Sequence, residues 1–488
     1  MAERLPIEIV FGGAPFDRTA VLHTLRHLAM RVGWVLSPQA AHRLLYITDH
    51  AQLVRLGTTT RDIVVLSSPG VGQHLRASTA PIPMARASDG RLLPFPHPEA
   101  TSYERPGWIT GDVLAGAYAV LNLWYERRTR PLQQDGWMGF ADDWWLQSGV
   151  PDPQPLADEW LERIVTAATQ VGWLGPVMRQ RGALDHAPGT LVLTHDVDYL
   201  PTRWTRGVPR LLRALVRQTV TRQRPGDGLR VLARYPQALS HRLPYFALPA
   251  IARREGELGV RSSFQVTVAH HHRADPAYNV SHRPIATALR QLQAEHWEVC
   301  LHGSYTASRT PGRLRAERTI LEQVLGRAVC GHRQYYLHFH PAQLFSEVER
   351  AGFAYDASVG YNDRSGPRAG TLFPYRPYDI EQGRPHNFWE FPFVLMDTTL
   401  ATTYRFSRQA AWEHMQSILG QQCGCVAIIW HQEQLSGLLD PGFDDLYYQL
   451  ILWAQQAGMR LVPGSALLPD LDAAWAATVC DSSMAQVE

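Results

Sequence analysis

Between Leu191 and Tyr199 an apolar run, Leu191-Val192-Leu193-Thr194, ends in His195-Asp196-Val197-Asp198, with two carboxylates one residue apart. Such a run is expected to be a buried strand. Strand side chains alternate, so Asp196 and Asp198 point the same way at its C-terminal end. Two acids on one face cannot both ionise freely at close range; one can hold a cation while the other is tuned as a base. The pattern recurs downstream. Val299-Cys300-Leu301 runs into His302-Gly303-Ser304-Tyr305, Gly331-His332-Arg333-Gln334-Tyr335-Tyr336-Leu337 opens on an arginine, and Val426-Ala427-Ile428-Ile429-Trp430 leads to His431. In parallel sheets and barrels the functional groups gather at the C-terminal strand ends. An Asp pair, two His and an Arg delivered this way are expected to converge, as a metal-assisted hydrolase requires.

The order T-H-D-V-D, L-H-G-S-Y, R-Q-Y-Y-L and a late I-W-H resembles the polysaccharide deacetylase superfamily (NodB homology, carbohydrate esterases). The closer likeness is to its branch with an H-D-V-D first motif and an additional N-terminal domain. The resemblance spans roughly residues 188–470 and includes Tyr355-Asp356-Ala357-Ser358-Val359-Gly360-Tyr361 and Arg368-Ala369-Gly370-Thr371. It implies an irregular (β/α)7 barrel and a divalent metal, with Zn²⁺ the first expectation. By position it implies that Asp196 is the catalytic base, that Asp198 and His302 are metal ligands, that Arg333 orients the base and that His431 is the late general acid.

The family's second metal histidine, four residues after the first, falls on Thr306. A catalytic Zn²⁺ usually takes three protein ligands plus water, and Asp198 with His302 makes two. His195, Tyr305, His338 and His340 are the nearby candidates for the third, but none stands four residues from His302. His195, Ser304, Tyr305, Tyr335, Tyr336 and Trp430, which flank the motifs, are expected to line the substrate cleft. Read blandly, His302 and His431 are core histidines and Arg333 a structural ion pair; the order of the motifs favours the chemical reading.

What the resemblance implies is a hydrolase that removes N-acyl, chiefly acetyl, groups from an amino sugar or glycan, with a water nucleophile activated by Asp196. Two alternatives stand beside it: hydrolysis of a small linear or cyclic amide, and a glycan-binding protein with a degraded metal site, for which Thr306 is the argument.

The chain of 488 residues is too long for one ordinary domain. Strand and helix signals alternate early, at Ile7–Phe11, Arg18–Val32, Leu44–Thr48 and Ile63–Ser67, and predict a small α/β domain over residues 1–130. An apolar helix at Val113–Tyr125 follows. A connector over 131–187 contains a helix from Leu156 to Val171; the barrel is expected over 188–472, with helices at Arg283–Glu295, Gly312–Leu325 and Pro341–Ala351, and a C-terminal tail over 473–488. Asp142-Asp143 beside Trp144-Trp145, and the run His270-His271-His272, read as surface or linker features.

Hydrophobic content of 45% and charged content of 19% describe a soluble globular protein, and a net charge of +2 gives no reason to expect nucleic acid. All 47 residues counted as Lys or Arg are arginine, which excludes Schiff-base, pyridoxal and phosphate-loop lysine chemistry. The five cysteines, at 300, 330, 423, 425 and 480, show no zinc spacing. No secretory leader or run of about 18 apolar residues is evident, so the expected location is the cytoplasm.

One segment stands apart in charge. From Arg203 to Arg242 there are ten arginines and a single acid, Asp227. Arg206, Arg210, Arg213 and Arg217 fall on one helical face and Leu211, Leu212, Leu215 and Val216 on the other. The commoner fate of such a helix is to pack its apolar side on the barrel and leave its basic side in water. It can also lie on anionic lipid, or wall the cleft and attract an acidic or phosphorylated glycan carrier.

Overall fold

The structure, a computed structural model, describes residues 4–13, 15–49, 51–98, 105–129, 139–140, 143–173, 189–200, 212–221, 223–240, 246–420, 424–437 and 439–479. Cys423, Cys480 and Asp142 lie outside the described residues, as do Arg203, Arg206, Arg210 and Leu211.

The first sheet contains β1 (Leu5–Gly12), β2 (Trp34–Leu36), β3 (His42–Ile47), β4 (Ile63–Leu66) and β5 (Trp108–Ile109) in the order β2-β1-β3-β4-β5, all parallel. The Arg18–Val32 helix links β1 to β2. Asp17 starts it by accepting from the Ala20 N–H, and Gly33 ends it in the left-handed region at φ 74°. The expected Val113–Tyr125 helix is in fact broken into Val113–Leu121 and Trp124–Thr129. Leu123 turns through φ 50° there, and Asn122 bonds both the Tyr118 carbonyl and the Tyr378 N–H.

The second sheet contains β6 (Thr190–Val197), β7 (Ser263–Val266), β8 (Glu298–Gly303), β9 (Gly331–Gln334), β10 (Tyr355–Asp356), β11 (Trp389–Glu390), β12 (Phe393–Met396), β13 (Cys425–Ile429) and β14 (Arg460–Val462). Its order is β11-β10-β9-β8-β7-β6-β13-β12, with β14 also on β6, and every pairing is parallel. The two ends of this order, β11 and β12, are halves of one run bent at Phe391-Pro392. That run pairs with β10 on one side and β13 on the other, so the sheet returns on itself as an irregular (β/α) barrel. Helices Arg283–Ala294, Arg313–Leu325 and Pro341–Ala351 lie between its strands in sequence. Because all strands run the same way, the residues after β6, β8, β9, β12 and β13 share one rim.

Most buried apolar side chains of both sheets form one continuous cluster from Ile7 to Trp475, while Leu45, Ile47, Val64 and Leu66 of the first sheet form a separate small one. Polar contacts cross the joint. Arg368 donates to both carboxylate oxygens of Glu126, at 2.9 and 2.6 Å, and all but 2% of each side chain is buried. Asp158 accepts from Thr371, the Leu372 N–H and Arg31. Asp143, Trp144 and Trp145 are buried here, which corrects their reading as surface features. Asp143 caps the short helix it precedes and accepts the Tyr361 hydroxyl, and burial followed by the charge of Glu126 pushes its pKa up to about 7. The expected tail also docks: the Leu36 N–H donates to the Thr478 carbonyl at 2.8 Å.

Candidate active site

Asp196 is the penultimate residue of β6 and is buried. Its Oδ1 accepts from Arg333 Nη1 at 2.5 Å. The Arg333 guanidinium is fully buried and fixed by two more bonds, Nε to the Ala357 carbonyl at 2.8 Å and Nη1 to Thr194 Oγ1 at 2.9 Å. The Ala357 carbonyl belongs to the Tyr355–Tyr361 motif, and within that motif Asp356 also pairs with His332 at 2.6 Å. Burial pushes the Asp196 carboxyl up, but Arg333, His302 and His431 outweigh it and hold its pKa below the usual carboxylate value.

His302 stands opposite Arg333 in the β8–β9 register, and its Nδ1 donates to the Arg333 carbonyl at 2.9 Å. Its Nε2 is therefore turned to the acids, 3.6 Å from Asp196 Oδ2 and 3.5 Å from Asp198 Oδ1. Gly303 is required next to it, because a Cβ there would stand 2.6 Å from His332 Nε2 and 2.8 Å from Leu314 Cδ2. Burial lowers the His302 pKa, yet the two aspartates raise it overall.

His431 follows β13. Asp397, fully buried after β12, accepts from the His431 N–H at 2.9 Å and from its Nδ1 at 2.7 Å. His431 Nε2 then faces Asp198 Oδ2 at 3.6 Å, so Asp198 stands between the two imidazoles. Burial disfavours the imidazolium, but Asp397 first and Asp198 and Glu433 after it hold its pKa well above the ordinary value. These groups border one cavity of about 420 Å³, whose lining includes Asp196, Asp198, His302, Tyr336 and His431.

Asp198 Oδ1 is buried and accepts no hydrogen bond, as an unused ligand atom would be. Its 3.5 Å from His302 Nε2 matches the separation of about 3.4 Å between two donors on one tetrahedral ion with bonds of about 2.1 Å. Asp198 and His302 therefore fit a shared cation. Among the described residues, however, no third His, Cys, Asp or Glu closes that pair into a compact set; the one such group is Glu349, Asp379 and His386, away from this cavity. Arg384, His386 and the Asn387 N–H already occupy the Glu349 carboxylate.

The structure corrects several expected cleft residues. His195 alternates to the opposite face from Asp196, where it is fully buried against the Trp430 carbonyl and Glu255 at 2.8 and 2.9 Å. Trp430 is likewise buried away from the cavity. Ser304 donates twice to Glu317, and Tyr305 stacks between His272 and His338. His338 bonds the Tyr305 carbonyl and Arg309, and His340 precedes the Pro341–Ala351 helix. Thr306 is half-buried at the start of a 3-10 turn, its carbonyl accepting from Arg309 and Thr310. None of these lines the cavity. Tyr335 sets its ring edge-on to His302, 5.1 Å between centroids, and Tyr336, at φ 58° and half exposed, lines the opening. Asp397 and the lining residues Gln334, Asn362, Asp363 and Glu433 were not anticipated.

No family model matches the chain, and no curated protein matches it. Among solved structures it is similar to a protein from Mycobacterium smegmatis provisionally described as a polysaccharide deacetylase, with 16% identity and a TM-score of 0.37 over 58% of this chain and 90% of that one. A CE4 family pseudoenzyme from Bacillus anthracis matches at 10% identity and 0.29, over 57% of this chain and 65% of that one. A peptidoglycan N-acetylglucosamine deacetylase bound to an N-hydroxybenzamide matches at 13% identity and 0.28, over 57% and 86%. These three solved structures are described as polysaccharide deacetylases or a pseudoenzyme of that kind, and the chemistry of this chain rests on its own residues.

Proposed function

We propose that this protein is a divalent-metal-dependent hydrolase that removes the N-acetyl group of an amino sugar or glycan. The observation that carries this reading is the pairing, on one cavity, of a carboxylate fixed by arginine with an imidazole fixed by aspartate: Asp196 on Arg333, and His431 on Asp397. An ion held by Asp198 and His302, with Zn²⁺ the expectation, would supply Lewis-acid polarisation of the amide carbonyl and acidify a water.

The remaining steps belong to the chain. Arg333 occupies Asp196 Oδ1, which leaves Oδ2 to take the proton of the attacking water. Asp397 keeps the His431 imidazole charged and its Nε2 directed at the cavity, where it protonates the departing amine nitrogen. Water thus adds a hydroxyl to the acyl carbon, the C–N bond breaks, and the proton count closes between Asp196 and His431. No covalent enzyme intermediate is required.

Thr306 favours a second reading, a glycan-binding protein whose metal site has lost a ligand. Acetate release from a panel of N-acetylated sugars separates the two. Turnover that is lost to a chelator and restored by a divalent ion is the expected result. A binding protein would retain the sugar and release nothing under any metal. Thr306→His, whose imidazole is longer than the Thr306 side chain that does not line the cavity, is expected to lower the dissociation constant of the ion by restoring a nitrogen donor; an unchanged constant would mean that position 306 does not reach the ion, that another group already serves or that no ion binds.

A further inference from the structure

Within the basic segment after β6, the described residues form two packed helical stretches, a hairpin. Residues 212–221 are helical, ending in a π-helical turn at Arg217–Thr221, and they pack on the Pro225–Ser240 helix. The crossing is close at Gly228, where a Cβ would stand 2.2 Å from Thr219 Cγ2. The buried side of the hairpin carries Val231 together with small and polar residues. Ala214 and Gln218 are buried; Gln218 Nε2 donates to the Leu439 carbonyl and Asp440, and Arg217 also pairs with Asp440.

Most of the described bulky apolar groups nevertheless face outward. Leu212, Val216, Val220, Leu229 and Leu232 are five of the eleven large apolar side chains left exposed among the described residues. Leu212, Val216 and Val220 repeat every four residues along one stripe. At Leu212 and Val216 this departs from the expectation that the apolar side would pack on the barrel, while Leu215 is half-buried and Leu211 lies outside the described residues. Single exposed apolar residues are normal, but a cluster on one hairpin marks an interaction surface. Exposed Arg213 and Arg230 interleave with them, within a segment of ten arginines and one acid.

We propose that this hairpin docks the protein on an anionic lipid surface, its leucines and valines entering the headgroup boundary and its arginines meeting lipid phosphates. The charge decides among occupants. A second copy would bring the same basic face against this one, and like charges repel. A bilayer interface accepts apolar side chains and arginine stems at one depth, which suits an outer face where the two alternate. The hairpin leaves the barrel from the rim that carries Asp196, and a cavity of about 400 Å³, lined by Tyr199, Arg213, Ala214, Arg217 and Leu439, lies beneath it. Docking therefore brings the active-site rim to the lipid surface, whatever reaction the site performs.

The test is co-sedimentation of the full chain with vesicles of phosphatidylcholine alone and of phosphatidylcholine mixed with phosphatidylglycerol. Binding to the mixed vesicles only, weakened by salt, is expected. Val220→Asp with Leu229→Asp, and separately Arg213→Glu with Arg230→Glu, should each reduce that binding by about tenfold or more, with thermal unfolding and any acetate release in solution unchanged. These side chains are exposed, so both variants should fold. Absence of binding to mixed vesicles, equal binding to both kinds, or indifference to both variants overturns the proposal. So does self-association abolished by Val220→Asp with Leu229→Asp, which would show the face to be covered by a second copy.

Discussion

His431→Ala is expected to lower kcat on an N-acetyl sugar by about a hundredfold to ten-thousandfold, the range of a general acid, while ligand affinity changes little. The amine is a poor leaving group unless protonated, and His431 is the imidazole whose Nε2 faces the cavity with Asp397 behind it. Its pKa lies well above the ordinary imidazole value, so the acid form persists through neutral pH and activity falls only as pH rises through that raised pKa. The substitution should remove this alkaline limb. An activated aryl ester, whose leaving group needs no proton, should suffer much less. Steady-state kinetics on both substrates across pH check this; equal losses on the two would contradict an acid role.

Glu126→Ala is expected to destabilise the fold by about 3–5 kcal/mol, the cost of leaving a buried charge without its partner. The orphaned group is Arg368, whose other partner is the Gly360 carbonyl. The pair joins the Trp124–Thr129 helix to the loop that follows the Tyr355–Tyr361 motif, so its loss should loosen the contact between the two sheets. Urea unfolding measures the change. A loss below about 1 kcal/mol, the value of an exposed pair, would mean that Arg368 reaches water when Glu126 is removed.

The strand-end chemistry was legible because it follows from local pattern: an apolar run sets the strand, and the polar residue after it reaches the rim. The same rule would have found Asp397, which ends the run Phe393-Val394-Leu395-Met396 just as Asp196 ends its own. Applied strictly, it would also have excluded His195, since period-two alternation puts neighbours of Asp196 on the other face. Ser304 and Tyr305 were misplaced because Glu317, Asp275 and His338 claim them, partners distant in sequence. Asp143 was read as a surface acid because its partner Tyr361 lies in the other sheet's region. Short strands such as β2 and β5 carry too few residues to show alternation. The bend at Phe391-Pro392, by which one run serves both ends of the barrel, depends on which strands it meets.

The central claim is that the two aspartates divide their work, Asp196 as base and Asp198 as ligand. Metal content and acetate release, measured together on Asp196→Asn and Asp198→Ala, test it most directly. The account predicts that Asp196→Asn keeps stoichiometric metal and loses turnover, because Oδ2 no longer accepts a proton while Asp198 and His302 are untouched. Asp198→Ala should lose both. Stoichiometric metal retained by Asp198→Ala under chelator challenge, or full turnover in Asp196→Asn, would contradict the account.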